Sequence, residues 1–557
     1  MAVINFGPFS GINQSVAPEY IKSGEAASAE NVECRDGVLK TFPGSVVAAG
    51  FQSINIGGDE PALKVEWIKN VFPLQGNIWN TKSLLAHVVN RDDRRSYILW
   101  RWNLSSGGWH VAWRQDDGFD PATGLYSEQD FFDFAFYQDE GQPAVILCGT
   151  KYIVLRQASQ AGFSATEYPL PSSIEVSAGR EVTAVVSRKD RIFISHGNSV
   201  YYSHPFSCTD FSIGSTPGAG GGEIKLPEEG GGILSMRDYN DSLVIIRQNG
   251  IYVLYGSTPT SFETARLPVN IQPMSGRNGV VCEGLMYIAA KTGIAYFDGV
   301  KAELIPANFR LKRFWDDMSA TSEPKIELLE KTMARRSRDA IFLFDNRLYM
   351  PCQQSRRLPV GDVVFMDMEN YMVVFDIRRQ EFEVLHAKTL NAQSIFAFDD
   401  EIFTGTRQKL HYVPGPYKPV ITSSEVIMPP HISILGEPEG EGFFERGWEK
   451  QIEVKAAWES GIIGAGSGNI VKTQEKIRLF GRCVAAQGGA GRLFVTLRTW
   501  QGKLKEKTRA TEIGAYNREK ILDIPGRGKR FQLVISNKGG GVFELSSIQV
   551  QTGEAED

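Results

Sequence analysis

Short apolar segments recur along the middle of the chain, and each follows a turn. Five segments share a turn followed by a strand of aromatic and β-branched residues: Gly149–Leu155, Gly197–Ser203, Asn249–Gly256, Thr292–Gly299 and Gln408–Val413. A second apolar segment precedes each turn: Pro143–Leu147, Arg191–Ser195, Ser242–Arg247, Leu285–Ala289 and Glu401–Phe403. Turn residues such as Asn249 and Gly250 tolerate positive φ, so the pattern predicts a series of antiparallel hairpins.

The spacing of these hairpins indicates a repeat. The first strand residues after four of the turns are separated by 48, 51 and 43 residues. This pitch is typical of four-stranded propeller blades, which stack radially because one sheet cannot bury both faces alone. Two further hairpin-like segments, Ala340–Pro351 and Val363–Asp376, extend the series. We therefore expect an all-β fold with a β-propeller of about six blades, five or seven being compatible. A pair of β-sandwiches is the alternative.

The residue composition and the hydrophobic pattern of the chain change at three places. Residues 51–415 carry the repeat, interrupted near 306–338 by a small helical insert with predicted helices over Asn308–Met318 and Lys325–Arg336. The insert is expected to lie outside the propeller and to touch a neighbouring subunit. A proline-rich break near 414–416 precedes strongly alternating segments, which predict a C-terminal β-sandwich or jelly-roll domain over 416–557. Residues 1–50 are expected to form a docking segment and a hairpin.

The composition of the chain limits the classes of function that we expect. The 557 residues include 42% hydrophobic and 22% charged residues, and the net charge of −5 does not predict tight nucleic-acid binding. Six scattered cysteines predict free thiols in a reducing compartment. No basic and apolar leader opens the sequence, and no apolar run is long enough for a membrane helix. Neither a Walker loop nor a G-x-S-x-G elbow occurs, so we expect no cofactor and no catalytic residue.

Three residue groups could form sites, but their patterns favour structural roles. His196, His204 and Cys208 lack the usual spacing of zinc ligands. The acidic pairs, such as Asp92 with Asp93, are sequence neighbours that would point to opposite faces of a strand, so turn or cap roles are favoured over glycosidase chemistry. Four tryptophans are interpreted as hairpin core or subunit interface rather than a sugar-stacking platform: Trp100, Trp102, Trp109 and Trp113.

Two further groups are the candidate contact sites. The glycine-rich stretch 216–232 predicts a long mobile loop that either gates a channel or simply connects two blades; its candidate residues are Gly218, Gly220, Gly221, Gly222, Glu228 and Glu229. The clearest basic cluster is expected to contact passing DNA or a neighbouring subunit, with a solvated helix end as the alternative: Lys331, Arg335, Arg336 and Arg338.

Several phrases resemble one family when taken in order. They are Gly11–Gln14, Gly24–Val32 and Asp36–Gly44 near the start, Asp190–Ser203 and Lys291–Gly299 in the repeats, and Lys529–Asn537 near the end. In this order they resemble the tail nozzle, or tail hub, proteins of short-tailed bacteriophages. Residues 51–120 match no phrase of that family.

The resemblance implies a structural virion protein that is made in the host cytoplasm and built into the phage tail. It further implies a homo-hexameric ring below a tail adaptor protein, bearing fibres or spikes, that closes the DNA exit channel until ejection. An alternative from another class is a propeller protein that binds or degrades host surface polysaccharide. A bacterial propeller scaffold unrelated to phage is the third possibility.

Overall fold

The computed structural model describes most of the chain. The described residues are 2–41, 45–50, 54, 62–74, 83–102, 108–127, 129–139, 141–159, 162–175, 181–214, 218–269, 271–320, 339–360, 363–386, 392–398, 401–406, 431–435, 456–464, 472–484, 491–513, 518–537 and 542–554. No helix in these ranges is long and apolar enough to span a membrane.

Five strands occupy the first fifty residues: β1 Ala2–Phe6, β2 Ala26–Glu30, β3 Val32–Arg35, β4 Val38–Thr41 and β5 Ser45–Gly50. The blades of the propeller follow. Blade 1 is β6 Val65–Leu74, β7 Ser83–Asn90, β8 Ser96–Trp102 and β9 His110–Arg114. A small ribbon, β10 Phe119–Asp120 and β11 Leu125–Tyr126, precedes blade 2, which is β12 Phe131–Asp139, β13 Gln142–Gly149, β14 Tyr152–Ser159 and β15 Gly162–Tyr168.

Blade 3 comprises β16 Val182–Arg188, β17 Arg191–His196, β18 Ser199–Tyr202 and β19 Gly222–Lys225. Blade 4 is β20 Ile233–Tyr239, β21 Ser242–Arg247, β22 Gly250–Tyr255 and β23 Glu263–Arg266. Blade 5 is β24 Val280–Cys282, β25 Leu285–Ala290, β26 Gly293–Phe297 and β27 Ala302–Leu304.

Helix α1, Lys312–Ala320, separates blade 5 from blade 6, which is β28 Phe342–Phe344, β29 Arg347–Val360, β30 Val363–Asp376 and β31 Glu381–His386. Blade 7 is β32 Ala392–Phe398, β33 Glu401–Thr406 and β34 His431–Leu435, completed by β5. The remaining strands are β35 Ala457–Ser460, β36 Ile463–Gly464, β37 Lys472–Val484, β38 Gly491–Gln501, β39 Lys503–Ile513, β40 Arg518–Gly528, β41 Arg530–Ser536 and β42 Val542–Glu554.

The seven four-stranded sheets form a closed ring, which confirms the predicted all-β propeller. The first strand of each blade contacts a neighbouring blade: β6 touches β12 and β32, β16 lies between β12 and β20, and β28 touches β24 and β32. Blades 4 and 5 meet where Ser235 and Asn278 exchange two hydrogen bonds of 3.0 Å. The ring closes through β5, which pairs with β34 from Ser45–Leu435 to Gly50–His431.

The described residues form seven blades, where the sequence predicted about six with five or seven compatible. The additional sheet is blade 1, within residues 51–120. Its β7–β8 turn spans Arg91–Arg95 and contains no glycine, so it lacks the turn signature of the other blades. In blades 2 to 5 the hairpin signal is accurate, because the predicted segment pairs fall on β13–β14, β17–β18, β21–β22 and β25–β26. The segment Val363–Asp376, predicted to be hairpin-like, is instead the single strand β30. The predicted strand Gln408–Val413 lies outside the described residues.

Two-residue turns with positive φ at both positions join the first two strands of several blades. Lys189 and Asp190, Asn240 and Asp241, and Asp345 and Asn346 all adopt this geometry. Such turns match the right-handed twist of the strands they connect. In the β21–β22 turn only Gly250 of the predicted Asn249–Gly250 pair has a positive φ, of 139°.

A β-sandwich combines strands from both ends of the chain. One sheet has the order β3-β4-β42-β37-β40 with β1 beside β42, and the other has the order β2-β35-β41-β38-β39 with β36 beside β41. The expected docking segment 1–50 thus supplies four sandwich strands and the outer strand of blade 7. Apolar side chains from both sheets, such as Leu479 and Leu497, meet in one core.

The sandwich and the propeller share this core. Ile12 and Asn31 donate backbone hydrogen bonds to the carbonyls of Phe382 and Val384 on β31, at 3.3 and 3.0 Å. Helix α1 covers the same region, with Trp315 edge-on to Phe382 at 6.0 Å between ring centroids. Its apolar face therefore packs against β31, the outer strand of blade 6, so the described part of the insert adjoins the propeller without forming part of a blade. The predicted second helix, Lys325–Arg336, lies outside the described residues.

We predict that Trp458→Ala lowers the free energy of unfolding by about 3–5 kcal/mol, because it removes a fully buried indole. Phe6 and Phe9 lie edge-on to this ring at 5.9 and 5.4 Å and would line the resulting cavity. Thermal and denaturant unfolding measure the effect. The control is Phe309→Ala, whose ring is 65% exposed and whose loss should change stability by less than about 0.5 kcal/mol. Equal effects of the two substitutions would contradict the packing described here.

Candidate functional site

The first strands of the blades surround the propeller axis, and several charged residues on or beside these strands pair with one another. We define the axial cluster as Asp133, Phe134, Arg237, Arg277 and Asp339. Asp133 and Phe134 lie on β12, and Arg237 lies on β20. Arg277 and Asp339 immediately precede blades 5 and 6. Polar residues on innermost strands must find partners there, because an unpaired buried charge is strongly destabilising.

Asp133 is buried, and each of its oxygens is bound. The backbone N–H of Phe134 donates to Oδ1 at 3.0 Å. The N–H of Val185, on blade 3, donates to Oδ2 at 3.3 Å, and Nη1 of Arg237, on blade 4, lies 3.3 Å from the same oxygen. A register shift between Phe131 and Asp133 marks a bulge that re-aims this side chain. One carboxylate thereby connects three successive blades.

Arg277 extends the network to the other side of the ring. Its Nε donates to Oδ1 of Asp339 at 2.6 Å, and Oδ2 of Asp339 accepts from the N–H of Ile395 on blade 7 at 2.9 Å. The guanidinium carbon lies 4.5 Å from the centre of the Phe134 ring, within the range of a cation–π contact. Because Phe134 belongs to blade 2 and Arg277 to blade 5, this contact crosses the axis.

Blade 1 joins the cluster through an aromatic contact and an ion pair. Phe72 lies edge-on to Phe134 at 4.9 Å. Lys69 Nζ lies 2.9 Å from Asp130 Oδ1, just before β12. All seven blades are therefore tied at the axis by the propeller's own side chains. A polymer cannot pass along this axis unless Arg277 separates from Phe134.

The electrostatics of the axial cluster favour a structural role. Burial raises the pKa of Asp133, while Arg237 and Arg277 oppose this shift. The cluster contains two guanidinium groups and two carboxylates, so its charges balance. Arg237 also donates to the carbonyls of Gly279 and Met236, at 3.2 and 2.8 Å. The charged groups of the axial cluster therefore bind one another and backbone carbonyls, and so they cross-link the blades.

A second ionic group lies where the sandwich meets the propeller. We define the junction cluster as Glu33 on β3, Arg347 on β29, Asp376 on β30 and Glu383 on β31. The three carboxylates surround one guanidinium at 3.6, 3.6 and 3.7 Å. The N–H of Cys34 also donates to Glu383 Oε1 at 3.3 Å. Burial raises the pKa of Glu383 to about 7, and the neighbouring Glu33 adds to the shift while Arg347 opposes it.

The glycine-rich candidates lie at the outer edge of blade 3. The sequence predicted one long loop here, but Gly222–Lys225 form β19, the fourth strand from the axis, and Glu228–Gly230 form a 3-10 turn. Buried Arg191 fixes the segment by donating to the carbonyls of Gly218 and Gly220, both at 2.8 Å. Gly220 and Gly221 are buried, and Glu228 and Glu229 are exposed on the way to blade 4. This placement is that of a blade connection.

The basic cluster Lys331, Arg335, Arg336 and Arg338 lies outside the described residues. Nε2 of His204 contacts the carbonyl oxygen of Ser212 at 2.9 Å, and Cys208 is buried. Within the described ranges, no group of three His, Cys, Asp or Glu side chains is arranged to hold a metal ion.

The tryptophans and acidic pairs occupy structural positions. Trp100 and Trp113 are buried where blades 1 and 2 meet, and Trp109 is buried within blade 1. The side chain of Trp102 lies outside the described part. The acids pair with nearby cations: Asp92 with Lys64 at 3.1 Å, Asp116 with Arg95 at 2.7 Å and Asp316 with Lys312 at 2.9 Å.

Sequence reasoning missed both ionic clusters. A local signal for Asp133 exists, because a carboxylate interrupts the otherwise apolar run Phe131–Phe136. The partners of Asp133 and Arg277, however, lie 104 and 62 residues away. No short-range pattern specifies such pairs.

We predict that Arg277→Met destabilises the chain by about 3–5 kcal/mol, because it removes the guanidinium that lies 2.6 Å from the carboxylate of buried Asp339. Adding Asp339→Leu should recover part of this loss, since it removes the unbalanced carboxylate but leaves the N–H of Ile395 without its acceptor. The exposed pair provides the control, because Lys64→Met should change stability by less than about 1 kcal/mol. Thermal unfolding of the four proteins measures these differences. A double variant no more stable than Arg277→Met alone would argue against the pairing.

The junction cluster predicts a pH dependence. The folded chain keeps a proton on Glu383 up to about pH 7, whereas the ordinary pKa is 4.5, so this residue's contribution to stability falls as pH rises from about 4.5 to 7. Glu383→Gln should remove that slope and raise stability at pH 8 by on the order of 2 kcal/mol. Unfolding is measured between pH 5 and 8, with Glu228→Gln as the exposed control. Parallel curves for wild type and Glu383→Gln would refute the assignment.

Comparison with known proteins gives weak likenesses only. No protein-family model matches the chain, and no curated protein matches it. Among solved structures, PorZ, a surface component of the type-IX secretion system of Porphyromonas gingivalis, is 12% identical over 73% of this chain, with a TM-score of 0.23. The chain spans about half of PorZ, 51%. The Pan2 WD40 domain of Neurospora crassa is 12% identical over 49% of this chain and 76% of that domain, with a TM-score of 0.28. An exo-β-1,3-galactanase of Phanerochaete chrysosporium is 9% identical over 91% of this chain and all of that one, 100%, with a TM-score of 0.23.

Proposed function

We propose that this chain is a structural subunit of a short bacteriophage tail, of the nozzle or hub type, without catalytic activity. In this proposal six copies form a ring that binds the tail adaptor on one side, carries fibres or spikes, and opens for genome ejection. The observation that carries the proposal is the axial cluster. It ties all seven blades of the propeller into one block whose centre is occupied by its own side chains.

The phrases that resemble nozzle proteins support the proposal through their positions. Gly11 approaches blade 6 so closely that a Cβ there would lie 2.8 Å from the carbonyl oxygen of Phe382. Gly24 has φ of 102° and faces the carbonyl of Pro8. Asn13 of the first phrase donates to Glu25 of the second at 2.7 Å. These residues build the joint between sandwich and propeller, which is a structural role.

The axial cluster also bears on the route of DNA. Because Arg277 and Phe134 meet across the axis, the proposed channel runs between copies in the ring and not through one propeller. The net charge of −5 suits a channel wall that does not retain DNA. The flank of each copy would then face the channel, and the sandwich would remain available for other contacts.

The proposal is tested by cryo-electron microscopy of purified particles from the source phage. The mass of the assembly that the purified chain forms in solution gives the number of copies. We expect a six-fold ring of seven-bladed propellers beneath the adaptor. Absence of the chain from purified particles would reject the proposal and favour a scaffold unrelated to the virion. Release of reducing sugar from host envelope polysaccharide by the purified chain would instead favour the propeller-enzyme alternative. A catalytically inert ring that is present in the particle is the expected outcome.

A further inference from the structure

One edge of the sandwich is unusually cationic. Strands β39 and β40 are the outermost strands of the two facing sheets and lie against each other. Residues 503–510 of β39 are exposed at every position. Basic residues occupy alternate positions of this strand: Lys503, Lys505, Lys507 and Arg509.

These four cations point toward the space between the sheets. Lys507 pairs with Leu497 of β38, and Arg509 pairs with Val495. Both β38 residues are buried in the sandwich core, and directly opposed residues in an antiparallel pair share a face. At about 3.4 Å per residue, the row extends for roughly 20 Å along the opening. It forms a strip of positive charge suited to an extended polyanion.

A pocket lies beside this strip, where the facing sheet is interrupted. The β37–β40 register shifts between Gln474 and Lys476, next to Pro525, which has no N–H to donate to a ladder. The resulting open pocket has a volume of about 560 Å³. Lys507 crosses its mouth and donates to the carbonyl of Pro525 at 2.7 Å. Lys476, Arg527 and Asp523 also line it.

The wall of the pocket contains an unusual amide. The side chain of Gln474 is 99% buried, since its relative exposure is 1%, and it lines the pocket. In the described part of the chain, neither its Oε1 nor its Nε2 has a hydrogen-bond partner. Such a group costs about 1–3 kcal/mol. Inward-pointing lysines can protect an edge strand from pairing with another chain, but that role does not account for a buried amide.

We propose that this pocket binds a carboxylated sugar unit of an acidic polysaccharide, while Lys503, Lys505 and Arg509 follow the neighbouring charges of the polymer. Lys476, Lys507 and Arg527 would bind the carboxylate. Asp523 and the Gln474 amide would hydrogen-bond the hydroxyl groups of the ring. The polymer would run along the open edge, roughly parallel to β39.

The chemistry of the pocket favours a saccharide over nucleic acid. Single-stranded DNA is held by basic grooves that contain aromatic stacking surfaces, and the pocket lining contains no aromatic side chain. Asp523 would repel a phosphate chain but accepts hydrogen bonds from hydroxyl groups. An amide and a carboxylate beside three cations therefore match a ring that bears both hydroxyls and an acid.

Binding to polygalacturonate, a carboxylated polysaccharide, tests the proposal, with neutral dextran and a 20-nucleotide single-stranded DNA as comparison ligands at 150 mM NaCl. Biolayer interferometry with the full chain gives the affinities. The double variant Lys507→Glu with Arg527→Glu should weaken polygalacturonate binding at least tenfold. The control Lys225→Glu with Arg266→Glu makes the same change in net charge on exposed outer strands of blades 3 and 4 and should change binding less than twofold.

A second variant separates binding from folding. Gln474→Leu should weaken polygalacturonate binding at least tenfold and also raise the melting temperature, because it removes the unpaired amide. No binding of polygalacturonate by the wild type, equal loss in the control, or binding of DNA as tight as that of polygalacturonate would overturn the proposal. It does not depend on the tail assembly proposed above. Particle imaging tests the assembly, and these measurements on the isolated chain test the pocket.

Discussion

A four-stranded sheet that is apolar on both faces cannot exist alone in water, and this constraint determines the rest of the structure. Each blade buries one face against the blade before it and the other against the blade after it, so stability requires a closed ring. The core is correspondingly divided into clusters that lie between neighbouring blades, such as the one shared by blades 1 and 2. The ring closes where the pairing of β5 with β34 completes blade 7 and where β32 of blade 7 contacts β6 of blade 1.

The axis and the junction follow from this closure. Once seven first strands converge, charged residues on them face one another at short range and away from water, so they must be paired. The axial cluster satisfies that requirement with two guanidiniums and two carboxylates shared among blades. The junction cluster does the same where β3 meets β31, with Arg347 shared by three carboxylates. Buried ion pairs of this kind add little net stability over a well-packed apolar replacement, whereas removing one partner is strongly destabilising.

Much of the propeller could be predicted from sequence because its hairpins are local. The glycine at the start of β22 and β26 and the apolar strand on either side are visible within about ten residues, and the repeat pitch follows from them. Blade 1 was not predicted, since its turn at Arg91–Arg95 depends on polar side chains and not on glycine. The pairing of β1 with β42 was also inaccessible, because Ala2 and Thr552 are separated by nearly the whole chain. The partners in the axial cluster are likewise far apart in sequence, so they could not be predicted. The alternating cations of β39 are visible in the sequence, but only the pairing of β39 with β38 shows that they point between the sheets.

The position of β5 also controls when the protein can finish folding during synthesis. This strand leaves the ribosome early, but its partner β34 follows about 380 residues later. At translation rates of about 5–20 residues per second, β5 remains without its ladder for on the order of half a minute. A copy whose translation stops before residue 431 can never close its ring, and it keeps an unpaired strand edge that proteases and chaperones recognise. Because β5 is made first and β34 late, ring closure is possible only in copies translated through residue 435.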